Sequence, residues 1–373
     1  MMKKKRLKVL QVLGSLYVGG AESRMMDVYR HINREEICFD FLVFRKEHQP
    51  YEDEIYTYGG KIFKLDPLSF KNIPFVINSV RKVLREEKYN AVHAHTSYFS
   101  GVIMMAAWLE HIPVRITHAR TTDSVRSRLP YKVVISIGKR MINRFATNRI
   151  AISKNAGDYL FGSLPYEVIP NAIDIEKYQT IDDSRVNVLR QRYGIPDSSF
   201  VIGQIGRFNP MKNHEFTIEW FYKYLKDNED SVLILVGDGY LRASIEKKVN
   251  DLGIGESVRF TGVVNNIYEV IHLFDVLLFP SIYEGLGGVV LEAQAAGVPV
   301  VMSDVLPDET DMGLGLITRC SLDASYDKWT SAVNQCRKSH EIAHDDIKLA
   351  FKKHKYSIEY ELQRLNSIYR GES

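Results

Sequence analysis

Short apolar runs alternate with longer amphipathic segments along the chain. In the first half, seven apolar runs are short enough to be strands: Lys8–Leu13, Phe39–Phe44, Lys61–Leu65, Ala91–Ala94, Val114–Thr117, Arg149–Ile152 and Glu167–Ile169. Five segments between them repeat apolar residues at helical spacing: Ala21–His31, Pro74–Glu87, Ser100–Leu109, Tyr131–Phe145 and Lys154–Phe161. This alternation predicts an α/β domain, in which a parallel sheet carries helices on both faces.

The same alternation starts again in the second half. Its strand-like runs are Phe200–Gly206, Val232–Gly237, Val258–Thr261, Val276–Phe279, Val298–Met302 and Leu316–Thr318. Its helical segments are Asn213–Asn228, Tyr240–Leu252, Gly287–Ala296 and Tyr326–Ser339. A chain of 373 residues suits two doubly wound domains. We place them at residues 1–172 and 173–356, with polar residues 171–183 as a linker. An amphipathic helix within 357–373 is expected to pack back on the first domain.

Composition narrows the classes of protein. Hydrophobic residues make up 45% and charged residues 25%, as in soluble globular proteins. The net charge of only +3 argues against a nucleic-acid-binding surface over the whole molecule. The cysteines Cys38, Cys320 and Cys336 lack metal-site spacing and are odd in number, which favours a reducing cytoplasm. No apolar run is long enough to span a bilayer, and the run Leu7–Leu13 reads as a first strand rather than a signal peptide.

Polar residues that can take part in catalysis or binding lie at the ends of strands in the first domain. In doubly wound sheets, ligands bind beyond the carboxyl ends of the strands. His93 and His95 end the fourth strand, and His118 and Arg120 end the fifth. Such histidines can move a proton or hold a substrate hydroxyl. The alternatives are core histidines bonded to the backbone and a zinc site, although no further ligand stands at the usual short spacing.

Glycines and cations mark two further loops that follow strands. Gly19 and Gly20 come after the first strand, where they let backbone approach a ligand, although such pairs also occur in ordinary turns. In the second domain, Arg207 and Lys212 follow the first strand of that domain. A forked guanidinium and an ammonium can stabilise a departing diphosphate without a metal. The alternative is a pair of solvated surface cations.

The segment from Glu284 to Glu292 is the most informative in the chain. Two carboxylates flank a glycine-rich turn that follows one predicted strand and begins a helix. The amides at a helix N-terminus can hold phosphate, and the carboxylates can hold hydroxyls. Glu292 alone could simply be an acidic residue that favours the helix dipole. The whole segment predicts a site for a sugar attached to a nucleotide.

Taken together, these residues resemble the family 4 retaining glycosyltransferases with the GT-B fold. The resemblance covers nearly the whole chain and includes Gly19-Gly20-Ala-Glu22, His93-Ala-His95, His118, Ile169-Pro-Asn171, Gly206-Arg207, Lys212-Asn213, Gly237-Asp-Gly239, Glu284-x7-Glu292 and Gly297-Val-Pro299. The Glu-x7-Glu segment is its most specific part. The details are most similar to bacterial enzymes of exopolysaccharide or capsule assembly. The resemblance implies two Rossmann-like domains that face each other across a cleft.

The resemblance also implies roles for individual residues. The first domain would bind the acceptor, and the second would bind a nucleotide sugar. The donor-binding set is Gly19, Gly20, Arg207, Lys212, Gly262, Val263, Glu284, Leu286, Gly287, Gly288, Val289 and Glu292. Within it, Arg207 and Lys212 would hold the diphosphate, Glu284 the sugar hydroxyls and Glu292 the ribose. His118 would lie near the reacting sugar, with His93, His95 and Arg120 on the acceptor side.

Two positions depart from the family pattern. Relatives commonly have Asp or Asn after the strand-end histidine, whereas Ala119 and Arg120 follow His118 here. Gly288 stands where a larger apolar residue is common. The expected reaction is transfer of a hexosyl unit from a nucleotide-diphosphate sugar, UDP-linked, to a lipid-linked saccharide, with retention at the anomeric carbon. No Asp-x-Asp run follows a strand, so we expect neither a metal nor a cofactor, because the nucleotide sugar is itself a substrate.

Other functions stay open at this point. A nucleotide-sugar epimerase or hydrolase of the same fold would consume the donor without an acceptor. A non-catalytic sugar-nucleotide-binding partner would bind it without turnover. A dinucleotide-dependent oxidoreductase is disfavoured because the fingerprint of three spaced glycines is missing.

A basic segment adds a prediction about membranes. From Ser124 to Gly157 there is no Asp or Glu, and basic residues recur at helical spacing. We predict that four of them contact an anionic membrane surface: Arg128, Lys132, Arg140 and Arg144. A solvated helix face is the alternative. Contact of this kind would make the protein peripheral on the inner face of the plasma membrane.

Overall fold

The computed structural model describes residues 6–17, 20–69, 72–121, 129–264, 266–284, 286–337 and 342–372. The chain divides into two compact units. Unit 1 consists of Met1–Ala172 together with Ile358–Ser373, and unit 2 consists of Ile173–Ser357.

Unit 1 is built on a seven-stranded sheet. Its strands are β1 Leu7–Leu13, β2 Ile37–Val43, β3 Ile62–Lys64, β4 Ala91–Ala94, β5 Val114–Ala119, β6 Asn148–Ala151 and β7 Glu167–Val168. They lie in the order β3-β2-β1-β4-β5-β6-β7, and each neighbouring pair is parallel. The helices between them are α1 Gly20–His31, α2 Glu52–Thr57, α3 Ile73–Glu87, α4 Ser100–Leu109, α5 Leu129–Phe145 and α6 Lys154–Phe161. Most residues of the inner strands are apolar because helices cover both faces of the sheet.

Unit 2 repeats the architecture with six parallel strands. They are β8 Phe200–Ile205, β9 Ser231–Val236, β10 Val258–Gly262, β11 Val276–Phe279, β12 Val300–Ser303 and β13 Ile317–Cys320, in the order β10-β9-β8-β11-β12-β13. The helices are α7 Ile175–Gln179, α8 Asp183–Arg192, α9 His214–Tyr224, α10 Arg242–Asp251, α11 Ile267–Val270, α12 Gly288–Ala295, α13 Tyr326–Cys336 and α14 His344–Lys353. No helix in the described ranges is long and apolar enough to cross a bilayer.

The last helix, α15 Ile358–Arg370, belongs to unit 1. Leu365, Ile368 and Tyr369 are buried in the same apolar cluster as residues of β1 and β2. The guanidinium of Arg364 donates to the Glu167 carboxylate of β7 over 2.7 Å. The end of the chain thereby supplies core side chains to the first sheet, and one of them reaches the histidines described below.

The polar segment predicted as a linker is folded. It contains α7, whose Ile175 and Tyr178 are buried in the core of unit 2. A helix of five residues has too little periodicity to be seen in the sequence, and its burial stabilises it. The boundary between the units lies at the start of this segment, between Ala172 and Ile173.

Each sheet has one point where the chain reverses its direction of winding. In unit 1 it lies between β1 and β4, and in unit 2 between β8 and β11. Loops that leave the two strands at such a point diverge and leave a crevice beyond their carboxyl ends. The predicted site residues lie near the carboxyl ends of the strands of each sheet or in the segments that follow them.

Candidate active site

The loops after β8 and β11 bring two predicted residues of unit 2 together. The Lys212 ammonium donates to a carboxylate oxygen of Glu284, and the two side chains are 18% and 17% exposed. The ammonium also lies 4.6 Å from the centre of the Phe279 ring at the end of β11. An ion pair of this exposure adds at most about 1 kcal/mol to stability. An anionic ligand can therefore compete with Glu284 for Lys212.

Backbone contacts hold the Lys212 loop in place. The side-chain amide of Gln204 donates to the Lys212 carbonyl over 2.7 Å, and the Ile282 amide donates to the Met211 carbonyl over 2.8 Å. The Asn209 side chain accepts from the Lys212 amide over 3.2 Å. Neither Gln204 nor Ile282 was predicted from the sequence, because their contribution arises from contacts between two loops.

Arg207 is the exposed cation of this site. Among the described residues its guanidinium has no hydrogen bond or ion pair. The next residue, Phe208, is fully buried and stacks on the His214 ring with centroids 4.1 Å apart. The backbone is thus anchored while the guanidinium remains available to a ligand.

Close backbone packing requires both glycines of the Gly237-Asp238-Gly239 motif. A Cβ at Gly237 would lie 2.2 Å from the Gly206 carbonyl oxygen, and one at Gly239 would lie 2.5 Å from that of Phe208. Gly237 also has a φ of +132°, which side chains rarely adopt. The motif lets the loop after β9 pack directly on the loop that carries Arg207.

Helix α12 begins as the sequence predicted, at a glycine-rich turn. Gly287 caps it with a φ of +72°. Within the described part of the chain, the Gly288 and Val289 amides have no hydrogen-bond acceptor, as is usual for the first amides of a helix. A Cβ at Gly288 would meet nothing within 4 Å, so the backbone here is open to a ligand. Glu292 lies one turn later and is partly buried.

The remaining donor-site residues of unit 2 surround this turn. Leu286 is partly buried, and its carbonyl accepts from the Thr310 hydroxyl over 2.9 Å. Ser281 donates to a Glu284 carboxylate oxygen over 3.4 Å. Gly262 ends β10 with a φ of +72°, and Val263 after it is 68% exposed. Val263 can therefore offer an apolar surface to a flat ring.

The first loop of unit 1 is described only in part. Gly20 is exposed at the first position of α1, and a Cβ there would meet nothing within 4 Å. The Ser15 hydroxyl donates to the Glu22 carboxylate over 3.2 Å. Gly19 lies outside the described residues.

The predicted histidines of unit 1 form one cluster. Nitrogen atoms of His93, His95 and His118 lie within 4.8 Å of one another. The rings of His93 and His118 are parallel within 3°, and the distance from His93 Nε2 to His118 Nδ1 is 3.2 Å. Burial lowers the pKa of all three well below the usual value, and the charge of Arg120 adds to the effect. The cluster is therefore neutral at neutral pH.

Most polar atoms of the cluster have partners. His93 Nδ1 lies 2.8 Å from the Tyr369 hydroxyl, and His95 Nε2 lies 3.1 Å from the Gln11 side-chain oxygen. Arg120 Nε donates to His95 Nδ1 over 2.8 Å. His118 Nε2 is buried and has no partner among the described residues. Gln11 and Tyr369 were not predicted, since Gln11 is inside an apolar strand and Tyr369 is near the end of the chain.

The arrangement of the cluster is a poor match to a metal site. The three ring nitrogens are near enough to one another to share an ion. However, both nitrogens of His93 and of His95 are already hydrogen-bonded. The Arg120 guanidinium, 2.8 Å from His95, would also repel a divalent cation. Metal binding would require these contacts to break.

Helix α5 presents basic and apolar side chains on one exposed face. Lys132, Arg140 and Arg144 are exposed, and Val133 and Ile137 beside them are 58% and 49% exposed. The opposite face packs closely on unit 1, since a Cβ at Gly138 would lie 2.4 Å from the Tyr98 carbonyl oxygen. Arg128 lies outside the described residues.

Comparison with known proteins identifies the family. Residues 18–177 match the family described as Glycosyltransferase Family 4, and residues 186–309 match the one described as Glycosyl transferases group 1. The chain is 31% identical to EpsF of Bacillus subtilis, which is named as a glycosyltransferase, over 99% of this chain and 97% of EpsF. The chain is a family 4 glycosyltransferase.

Two further relatives of this glycosyltransferase have names that describe their functions. It is 25% identical to the capsular polysaccharide biosynthesis glycosyltransferase CapH of Staphylococcus aureus, over 97% of this chain and 98% of CapH. It is 26% identical to an Escherichia coli UDP-Gal:α-D-GlcNAc-diphosphoundecaprenol α-1,3-galactosyltransferase, over 80% of each chain. The predicted likeness to enzymes of exopolysaccharide and capsule assembly is confirmed.

A solved structure confirms the predicted fold of this glycosyltransferase. HepE of Anabaena, in complex with UDP-glucose, superposes with a TM-score of 0.78 at 19% identity, covering 98% of this chain and all of HepE. At that identity the likeness concerns the fold. The two parallel Rossmann-like sheets of 7 and 6 strands are those of the GT-B fold.

Proposed function

We propose that this glycosyltransferase transfers a hexosyl unit from a UDP-linked sugar to a lipid-linked saccharide, with retention of the anomeric configuration. The observation that carries the proposal is in unit 2. There the Lys212–Glu284 pair occurs at one switch point with the Arg207 guanidinium and the first amides of α12, which have no partner among the described residues. The UDP-glucose in HepE and the diphosphoundecaprenol-linked acceptor named for the Escherichia coli relative support the choice of substrates.

The diphosphate would be held by three groups of unit 2. Arg207 can donate two parallel hydrogen bonds to phosphate oxygens. Lys212 exchanges its Glu284 partner for a phosphate oxygen. The amides of Gly288 and Val289 donate to the same anion at the positive end of the α12 dipole. These donors are strongest toward the charge that develops as the diphosphate leaves, so they lower the barrier to its departure.

The carboxylates of Glu284 and Glu292 would bind the sugar and the ribose of the donor. Release of Lys212 leaves Glu284 free to accept from sugar hydroxyls. Glu292, one turn into α12, accepts from the ribose, and exposed Val263 packs on the base. In unit 1, buried His118 Nε2 contacts a sugar hydroxyl. His93, His95 and Arg120 support that histidine, and Gly20 leaves room for the diphosphate.

The chemical step needs no protein base in this scheme. The acceptor hydroxyl oxygen attacks the anomeric carbon on the face that the diphosphate leaves. The bond from the anomeric carbon to the diphosphate oxygen breaks with its electron pair, and that oxygen takes the acceptor proton. Attack on the departing face retains the configuration.

Product analysis tests the proposal. The purified enzyme is incubated with UDP-glucose, UDP-galactose or UDP-N-acetylglucosamine and a short-chain lipid-diphosphate sugar. The expected product is an elongated lipid-linked saccharide, whose anomeric coupling constant by NMR is that of the donor. An inverted product would contradict retention. UDP release without acceptor would indicate a hydrolase, an altered donor sugar an epimerase, and donor binding without any turnover a non-catalytic partner.

We further propose that the exposed face of α5 binds anionic lipid, where a lipid-linked acceptor is located. Basic side chains beside exposed Val133 and Ile137 suit a membrane interface, because apolar groups insert while cations meet headgroups. A purely solvated face would have no reason to expose two β-branched residues one turn apart. The predicted Arg128 precedes this face in the sequence.

Vesicle sedimentation tests this surface. Replacement of Lys132, Arg140 and Arg144 by Gln should release the enzyme from acidic vesicles at low salt, since each cation contributes about 1 kcal/mol there. Donor affinity should not change. The matched control replaces three exposed lysines elsewhere in unit 1: Lys46, Lys82 and Lys88. Equal loss of binding in both variants would mean that net charge, and not the α5 face, is responsible.

A further inference from the structure

A continuous chain of hydrogen bonds in unit 1 ends at His118. It passes in turn through Arg120, His95, Gln11, Tyr369, His93 and His118. All of these residues belong to unit 1, and four of them are at most 1% exposed: Gln11, His93, His118 and Tyr369. Water therefore has little access to the middle of the chain. Two buried atoms of these residues lack a partner within the described ranges, Nη2 of Arg120 at the start and Nε2 of His118 at the end.

Arg120 determines the direction of the first hydrogen bonds. A guanidinium has five donors and no acceptor, so His95 Nδ1 must accept from Arg120 Nε over 2.8 Å. Neutral His95 then carries its one proton on Nε2. That nitrogen donates to the side chain of Gln11 over 3.1 Å, which places the amide oxygen of Gln11 toward His95 and its nitrogen toward Tyr369.

The direction then passes to His118 through Tyr369. The Gln11 amide donates to the Tyr369 oxygen over 3.0 Å, so the Tyr369 proton is left for His93 Nδ1, 2.8 Å away. His93 therefore carries its proton on Nε2 and donates it to His118 Nδ1 over 3.2 Å. The remaining proton of His118 is on Nε2.

These hydrogen-bond directions require neutral imidazole rings, because an imidazolium would donate from both nitrogens. Burial depresses the pKa of His93, His95 and His118, and the neighbouring Arg120 charge depresses it further. Burial also raises the pKa of Tyr369, so its hydroxyl keeps its proton. The chain thus has one consistent set of proton positions.

We propose that Arg120 and Tyr369 are positioning residues that hold His118 in the tautomer with its proton on Nε2. This inference rests on the proposed function, in which His118 meets the donor sugar. His118 then offers an N–H to a hydroxyl oxygen of the sugar and has no lone pair there to act as a base. A buried N–H without a partner is uncommon, and a substrate oxygen would satisfy it. Arg120 acts as the fixed donor at the start of this chain of hydrogen bonds.

The tautomer can be measured in the free enzyme. Histidine labelled with ¹⁵N gives different nitrogen shifts for protonated and unprotonated ring positions, and His118 is assigned by its loss in His118→Gln. In the wild type at pH 7.5, we expect about nine-tenths or more of His118 to carry the proton on Nε2, since a proton on Nδ1 would face the N–H of His93 Nε2. A wild-type His118 protonated on Nδ1 would overturn the proposal whatever the variants do.

Tyr369→Phe removes the hydroxyl that orients His93. The two tautomers of the His93–His118 pair should then become about equally populated. Tyr29→Phe is the matched control, because Tyr29 is also buried in unit 1 and also packs on Phe39. The control should keep the wild-type tautomer. An unchanged His118 spectrum in folded Tyr369→Phe would contradict the role of Tyr369.

Kinetics separate positioning from stability. Tyr369→Phe should lower kcat/KM about twofold, which is the loss of competent tautomer. In a His118→Ala background, the same change should have no further effect, because Tyr369 acts through His118. Equal loss in both backgrounds would indicate a structural role only. The spectra need no substrate, so failure of the tautomer prediction and failure of glycosyl transfer are distinguishable.

Discussion

The two switch points of the glycosyltransferase share one topology and differ in charge. In unit 1 the histidines are inside or directly after their strands: His93 in β4, His118 in β5 and His95 next to β4. In unit 2 the polar residues stand several positions beyond the strand ends, as Lys212 and Glu284 do. Burial keeps the first set neutral and hydrogen-bonded, whereas the second set forms a partly buried ion pair. A crevice of this kind can therefore position a neutral hydrogen-bond donor when its polar residues lie in the strands. It can bind an anion when they lie in the loops beyond the strands.

The largest effect is expected when the open cation of unit 2 is removed. Arg207→Ala should lower kcat by about a hundredfold, or about 3 kcal/mol, because a donor preorganised for the leaving diphosphate is lost. Stability should hardly change, since Arg207 is exposed and has no partner among the described residues. Initial rates at saturating donor and a urea titration measure the two quantities. The control is Arg259→Ala, a cation of the same unit whose partners among the described residues are backbone carbonyls. Near-normal turnover in Arg207→Ala would remove that residue from the site.

A smaller effect should separate the two members of the unit 2 ion pair. Glu284→Gln should lower kcat/KM by about tenfold or more, because hydrogen bonds from sugar hydroxyls to a charged group are lost. The affinity for UDP alone should stay equal or rise, because Lys212 no longer has a competing carboxylate. Calorimetry with UDP and steady-state kinetics check the split. Parallel loss of UDP binding and transfer would mean that Glu284 only supports the loop.

Acid should destabilise unit 1 through its neutral histidines. Three of them have a pKa well below the usual value of about 6.5: His93, His95 and His118. Below pH 6.5 the unfolded chain takes up protons that the folded chain does not. Their stabilisation is therefore complete above that pH and falls as the pH is lowered. The loss should be about 1 kcal/mol per histidine over the first pH unit.

Unit 2 provides the internal comparison for the acid effect. Two of its histidines have the same sign of shift: burial lowers the pKa of His214 to about 4 and also lowers that of His272. Glu361 in unit 1 and Asp275 in unit 2 have a raised pKa and act in the opposite sense, one in each unit. Hydrogen exchange is compared between β4 and β5 of unit 1 and β8 and β11 of unit 2. When the pH is lowered from 7 to 5.5, the amides of unit 1 should lose more protection than those of unit 2. A greater loss in unit 2 would contradict the assignment.

The smallest effect is expected from metal removal. Arg207, Lys212 and the α12 amides already supply positive charge for a diphosphate, so activity should persist in EDTA. Initial rates before and after dialysis against chelator measure this. Complete loss, restored by magnesium or manganese, would mean that these groups are insufficient. Restoration by zinc would instead direct attention to the histidine cluster of unit 1.

Much of the fold was predictable, because strand and helix periods differ along the chain. The runs Ala91–Ala94 and Val276–Phe279 are strands with the predicted bounds. Five α-helices of the described ranges were missed: α2, α7, α8, α11 and α14. Of these, α7 and α11 have only 5 and 4 residues and depend on burial. The exposure of Val133 and Ile137 could not be predicted either. It results from the close approach of Gly138 to Tyr98, which fixes the rotation of α5.

The site was predictable where a local motif creates it. The glycine-rich turn before α12 determines an αL cap and a helix start whose first amides have no acceptor within the helix, and spacing alone placed Arg207 and Lys212 after a strand. Contacts between distant segments were decided by the tertiary structure. The Lys212–Glu284 pair joins residues 72 positions apart, and the bond from Gln11 to Tyr369 spans 358. Periodicity and turn chemistry are local, so the sequence determined the two sheets and their loops. The protonation of a histidine depends on its burial and on its hydrogen-bond partners. Only the folded chain brings those partners within about 3 Å of the ring nitrogens.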